Sequence, residues 1–279
     1  MSLSGISQAL RDGGVTFDFI GFDACLMATL ENALMLDEFG DYLIASEETE
    51  PGIGWYYTTW LNELSKNPSM PTLQIGKNIV DGFVEACNRK CAGQKTTLSV
   101  VDLAELSATV PAPFKAFSKG ISQMISDKEY KTVANARSQA REFASSTKID
   151  QVDVVHFASN LGTAEGKALA DAIRGAVKYN RTSSNMTNAY GLSIFFPLRS
   201  AKYVDSMSKT YGEIKMDTDY TKAIRQFASL EVSGQAGSGG TGSPLGTLFG
   251  NYAGTSPECP PMTVRSLWDS SSPLSWAGT

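Results

Sequence analysis

The run FDFIGFDACLMATLE at positions 17–31 constrains this chain more than any other segment. An apolar stretch of strand character ends abruptly at Asp23-Ala24-Cys25, and an apolar pattern of helical character follows at once. The spacing predicts a strand over 15–22, apolar on both faces as a buried parallel strand is, and a helix over 26–39. Cys25 then stands at the carboxyl end of a strand and the amino end of a helix. In open α/β sheets that end of the sheet is where ligands bind. A helix N-terminus favours a thiolate over a thiol, and the thiolate is the nucleophilic form. The run therefore points to a cysteine-nucleophile enzyme, which ordinarily needs a histidine base.

The same alternation continues downstream. Strands are expected at 42–45, 97–101 and 190–196, and helices at 73–90, 114–125, 128–144, 152–160, 164–179, 201–211 and 220–229. Asp102, with Glu105 three residues on, has the spacing of a capping box. Strand–helix alternation up to residue 101 gives an α/β fold with a mostly parallel sheet flanked by helices. The strand at 190–196 is expected to rejoin that sheet. The expected division is an α/β core over 1–101 plus 188–230, a helical subdomain inserted at 102–187, and a Gly/Ser/Pro-rich linker and tail over 231–279.

Composition narrows the function classes. The 279 residues carry a formal net charge of −5, which argues against a nucleic-acid partner. No run of apolar residues is long enough to span a membrane, and the first residues lack the basic and apolar regions of a signal peptide. Four cysteines are too few for a disulfide scaffold, and one histidine is too few for a structural zinc site, so no metal is expected. Cys87 and Cys91, four residues apart on one helix face, are assigned a structural role.

Several residues near Cys25 carry chemistry. Asp23 raises the pKa of a neighbouring thiol, so it needs a task of its own. It is either the N-cap of the following helix or the partner of a cationic substrate side chain. Ser46, Glu47 and Glu48 end the second strand on the edge where Cys25 lies. For the two glutamates, substrate contact competes with an ordinary solvated turn. The loop that follows, with Pro51, Gly52 and Gly54, lets backbone approach a ligand, and Trp55 is placed to form a pocket wall. His156 lies some 130 residues beyond Cys25. The Asp-Ala-Cys-Leu context lacks the Gly-[Ser/Ala]-Cys-[Trp/Tyr] signature of papain-like enzymes. His156, within VDVVHFASNL, is assigned a structural place on an amphipathic helix far from any strand end.

Three segments, FDFIGFDACLM around Cys25, DYLIASEETEPGIGW at 41–55 and GLSIFFP at 191–197, resemble the clostripain family of bacterial cysteine endopeptidases, relatives of caspases and gingipains. The resemblance implies a caspase-like α/β sheet, here incomplete at its N-terminal side, and a cysteine–histidine dyad. Cys25 maps onto the nucleophile, and Asp23 onto an acidic residue at the specificity pocket, which implies cleavage of peptides or proteins after Arg or Lys. Ser46, Glu47 and Trp55 would line the substrate cleft. In the family the catalytic histidine precedes the cysteine and is followed by glycine, and none of the 24 residues before Cys25 is histidine. The expected partner is therefore a histidine-bearing N-terminal chain or segment of the same protein, without which this chain is expected to be inactive. A non-catalytic binding module on a degenerate peptidase fold is the alternative. A self-contained hydrolase using His156 is a third reading. The resemblance further implies a secreted or cell-envelope bacterial protein. Calcium enters by resemblance only, since no calcium-loop spacing is present, and no cofactor is expected.

Overall fold

The computed structural model describes residues 2–198 and 201–232. In chain order the elements are α1 (Leu3–Gly13), β1 (Phe17–Gly21), α2 (Leu30–Leu36), β2 (Gly40–Ala45), α3 (Tyr57–Lys66), α4 (Thr72–Lys90) and β3 (Thr97–Asp102). There follow α5 (Leu103–Thr109), α6 (Pro111–Ser126), α7 (Tyr130–Gln139), β4 (Glu142–Phe143), β5 (Gln151–Asp153), α8 (Val154–Asn160) and α9 (Ala164–Ala176). The last are β6 (Val177–Thr182), β7 (Ser193–Phe195), α10 (Val204–Glu213) and α11 (Thr218–Val232).

Four strands form the main sheet in the order β1-β2-β3-β6. β1 runs parallel to β2, with Phe19 opposite Tyr42. β3 is antiparallel to β2, and β6 is antiparallel to β3 with an irregularity at Val100/Val101. The sheet is thus mixed rather than mostly parallel. Residues 97–101 are apolar enough for burial on both faces, and that pattern is the same for either strand direction.

Helices cover both faces. On one, α4 presents Ile79, Val80, Phe83, Val84 and Cys87 to Ile44, Leu98, Val100 and Trp55. On the other, a larger core joins Leu30 and Leu36 of α2 to Leu103, Leu106, Phe114, Phe117, Leu169, Ile173 and Phe227. That core runs from Ala28 to Ala228, across residues 102–187 as well as the flanking segments. Asp102 caps α5 by accepting from Glu105 N at 2.8 Å, as its spacing predicts.

Several expectations change. Residues 177–182 extend as β6 instead of continuing α9, because pairing with β3 gives their backbone a ladder of partners. The helices expected over 128–144 and 152–160 form as α7 and α8 but are shorter, with β4 following the first and β5 preceding the second. These short strands form a second sheet, ordered β4-β5-β7, so the strand of the 190–196 segment pairs there and not in the main sheet. Helix α3 was not expected at all. The tail expected from residue 231 begins inside α11, and 233–279 lie outside the described residues.

Among the described residues β1 is an edge strand, with β2 its one neighbour in the sheet. Val15 is 54% exposed and Phe17 41%.

Candidate active site

β1 ends at Gly21, and the chain crosses the end of β2 before re-entering a helix. Phe22 N donates to Ile44 O, Leu26 N to Glu48 O and Ala28 N to Ser46 O, at 2.9, 3.2 and 2.9 Å. The backbone beyond β2 therefore frames the Asp23–Cys25 turn from one side. Thr29 is the N-cap of α2, its side chain accepting from Asn32 N at 3.0 Å. Cys25 consequently lies in a turn ahead of the helix and not at its N-terminus. Asp23 is not the cap. Leu26, directly after the thiol, has φ +63°, a left-handed conformation that costs a non-glycine residue about 1–2 kcal/mol. Its side chain is held against Phe143, Met186 and Ala189. Strain of this kind persists where surrounding contacts impose it.

Cys25 is a partly buried thiol that forms no disulfide among the described residues. Its Sγ accepts from Glu50 N at 3.3 Å and faces Glu50 O at 4.0 Å. Two residues away, Asp23 Oδ1 accepts from Trp55 N at 3.1 Å and Oδ2 from Tyr57 OH at 3.1 Å. Among the described residues Asp23 forms no ion pair. Burial first, then the Asp23 carboxyl, pushes the Tyr57 phenol up.

Glu50 closes the group. Its side chain is almost fully buried, hydrogen-bonds the Asp23 carboxyl and accepts from Trp55 Nε1 at 3.4 Å. Burial first, then the Asp23 charge, pushes the Glu50 carboxyl up to about 9. Two glycines make this approach possible. A Cβ at Gly21 would fall 2.9 Å from the Trp55 ring, so a glycine there lets the indole lie on the end of β1. Gly54 has φ +63°, and a Cβ there would come within 3.0 Å of Asp23 Oδ2.

The structure thus brings together Cys25, Asp23 and Trp55 from the sequence reading and adds Glu50 and Tyr57. The sequence reading singled out neither: the signal available for Glu50 was an acid next to the glycine-containing turn, and Tyr57 gave none. Ser46 and Glu47 go elsewhere. Ser46 is 0% exposed, sharing a 2.9 Å hydrogen bond with Thr97 Oγ1 and donating to Glu48 O. Thr97 Oγ1 also accepts from the backbone N–H groups of Glu47 and Glu48, each at 3.0 Å. Glu47 is 1% exposed, and its Oε2 accepts from Gly191 N at 2.9 Å. It faces Asp153, which caps α8 through His156 N and accepts from Tyr190 N. Burial raises both acids, Asp153 to about 6 and Glu47 well above its ordinary value. Glu47 holds the proton of this pair, because Asp153 is already an acceptor of two N–H groups. Glu48 Oε1 accepts from Ala144 N and Thr49 N. The acids at 47 and 48 are therefore buried, not solvated.

His156 lies in the first turn of α8, three residues past the end of β5, so it is close to a strand end after all. Its Nδ1 accepts from Arg141 N at 2.9 Å, and burial, then Arg141, lowers its pKa. Cys87 is a buried, free thiol of α4, pushed up to about 11 by burial. Among the described residues no cluster of His, Cys, Asp and Glu is arranged to hold a metal ion, and no helix is long and apolar enough to cross a membrane.

A thiol at the end of a strand, in a sheet flanked by helices, is the arrangement of a caspase-like cysteine peptidase. Residues 1–243 match the family profile described as the clostripain family, and the chain belongs to that family of cysteine peptidases. Solved structures share its fold at low identity. A clostripain from Bacteroides thetaiotaomicron in complex with a peptide inhibitor is 17% identical, with a TM-score of 0.59, covering 77% of this chain and 94% of that one. A secreted C11 cysteine protease from Bacteroides thetaiotaomicron, bound to an irreversible peptide inhibitor, is 19% identical with a TM-score of 0.51, covering 78% of this chain and 64% of that one. An inactive zymogen C11 protease from Parabacteroides distasonis is 20% identical with a TM-score of 0.55, covering 77% and 62%. No curated relative matches the chain.

Proposed function

We propose that this chain carries the nucleophile of an endopeptidase that cleaves after Arg or Lys, and that a histidine-bearing segment of the same protein supplies the base. The observation that carries this reading is the pairing, within one turn, of the Cys25 thiol with the Asp23 carboxyl, which faces neutral donors and, among the described residues, no cation. Asp23, with the Trp55 wall, receives the basic side chain of the substrate. Ser46 and Glu47 act on the cleft through their backbone, by fixing the segment that holds Leu26 and Ala28.

In the reaction the imidazole takes the Cys25 proton and the thiolate attacks the scissile carbonyl carbon. The oxyanion is stabilised by backbone N–H groups, that of Cys25 among them. The C–N bond breaks as the imidazolium protonates the leaving amine. Water then hydrolyses the thioester, releasing the new carboxylate and restoring the thiol. This chemistry needs no cofactor.

Two features support an external base. The chain has one histidine, and its Nδ1 is engaged by Arg141 N. β1 is an edge with exposed Val15 and Phe17, and such an edge is a template for a further strand. The zymogen relative is consistent with maturation by processing, and the secreted relative with export.

An arginyl-amide reporter tests the reading. The isolated chain is expected to be inactive, the protein with its histidine-bearing segment active, and Cys25→Ala of the latter reduced on the order of 10⁴-fold or more. Cys25-dependent turnover by the isolated chain would refute the external base. Inactivity of the complete protein on every peptide reporter would favour a non-catalytic binding module.

A further inference from the structure

Asp23 has an obvious use in the proposed pocket, but Glu50 does not. Its backbone already serves the thiol, donating from N to Cys25 Sγ. Its carboxyl is folded back, away from solvent, onto Asp23 and the Trp55 indole N–H. Two carboxyls in hydrogen-bonding contact cannot both ionise at neutral pH, so such a pair holds one proton in common.

We infer that Glu50 is the second acid of the basic-side-chain pocket: with Asp23 it keeps a proton while the pocket is empty, and it gives that proton to solvent when a guanidinium or ammonium group enters. This rests on the reading of Asp23 as the cation partner given above. The proton count balances, since one positive charge leaves as the ligand's positive charge arrives and no bond other than O–H is broken. The bound cation then meets two carboxylates, and Trp55 Nε1 remains as a donor to the newly formed one. A single buried acid would recognise the cation equally in both states of the pocket. A paired acid makes the empty pocket less negative.

Among the described residues several titratable or polar groups face Glu50, the Cys25 thiol among them. The others are Asp23 on the β1 turn, Trp55 and Tyr57 on the loop that enters α3, and the Cys87 thiol on α4. Tyr57 and Cys87 are both pushed up, Cys87 to about 11, so both stay neutral between pH 6 and about 8. Burial and Asp23 push Glu50 to about 9, so in that window it is the protonated member.

The test is calorimetric binding of acetyl-arginine amide and of acetyl-lysine amide to the full protein carrying Cys25→Ala, which cannot turn the amide over. Titration in buffers of different ionisation enthalpy counts the protons released. About one proton per ligand is expected, with affinity rising about tenfold per pH unit from pH 6 to 8. With Glu50→Gln added, an amide hydrogen bond to Asp23 replaces the proton, and both proton release and pH slope should vanish while binding persists. Undiminished proton release in the Gln variant would overturn the assignment to Glu50. Absence of proton release in the parent, with binding lost in Asp23→Asn, would overturn the shared proton and leave the pocket standing. Undiminished binding in Asp23→Asn, or no saturable binding in the parent, would refute the pocket itself. Because the parent's proton count decides by itself, poor folding of the Gln variant would not rescue the inference.

Discussion

Glu47 and Glu50 stand three residues apart on one loop, and their carboxyls lie in opposite kinds of surroundings. Glu47 points into the protein, where Gly191 N and the Asp153 carboxyl receive it, and it joins the end of β2 to the second sheet. Glu50 turns toward the Cys25 thiol and the Asp23 carboxyl, at the rim of the sheet. Between them, Ser46, Glu47 and Glu48 converge on Thr97, so that one side of the loop is anchored. The rest of the loop, with Gly54 in a left-handed conformation, is free to take its shape from the site. The difference teaches that a cluster of acids can serve rigidity at one end and chemistry at the other, and that only burial partners tell the two apart.

The anchored side is expected to give the largest response. Thr97→Val removes the acceptor for two buried N–H groups and the partner of the Ser46 hydroxyl. At about 1–3 kcal/mol for each orphaned group, with partial relaxation, a loss of about 2–5 kcal/mol is expected. The urea midpoint should fall accordingly, with Thr97→Ser restoring most of it. A loss below about 1 kcal/mol would show that the loop is anchored elsewhere.

A smaller effect is expected from pH. Asp153 and Glu47 have folded pKa values above their ordinary ones, so their contribution to stability is present below about pH 4 and fades as pH rises. For Asp153 the fading extends up to about pH 6, and for Glu47 higher. Glu47→Gln mimics the protonated acid, with an amide donor for Asp153 and a carbonyl acceptor for Gly191 N. Its unfolding midpoint should fall less than that of the parent between pH 4 and 8. Equal slopes would mean that the pair is not a source of the pH dependence.

The smallest structural effect should come from the chemical side. Gly54→Ala places a methyl 3.0 Å from Asp23 Oδ2 at a backbone with φ +63°. About 1 kcal/mol of stability is expected to be lost, yet KM for an arginyl reporter should rise, because the Asp23 carboxyl is displaced. An unchanged KM would show that Asp23 does not contact the substrate side chain.

Much of this arrangement was legible in the chain. The strand of residues 15–22, its abrupt end at Asp23-Ala24-Cys25, the strand ending in Ser46 and the long helix before 97 all come from apolar periodicity and glycine punctuation. The helix start after Cys25 was misplaced, because apolar residues at 26–28 continue the helical pattern while the Thr29 side chain, a better cap than Ala24 or Cys25, sets the real boundary. β6 escaped notice because Val177, Tyr179 and Arg181 alternate directly after a helical run and compete with its period. The burial of Glu47 was not legible, since its partners Gly191 and Asp153 lie more than 100 residues away. Distant pairing of polar groups leaves no local periodicity to read.

The central claim is that Asp23, beside the Cys25 thiol, selects a basic side chain. It is tested most directly by comparing kcat/KM for arginyl- and leucyl-amide reporters in the complete enzyme and in its Asp23→Asn variant. The account predicts that preference for arginine falls about 100-fold or more, with leucyl turnover little changed. An unchanged arginine preference in a folded Asp23→Asn enzyme would contradict it.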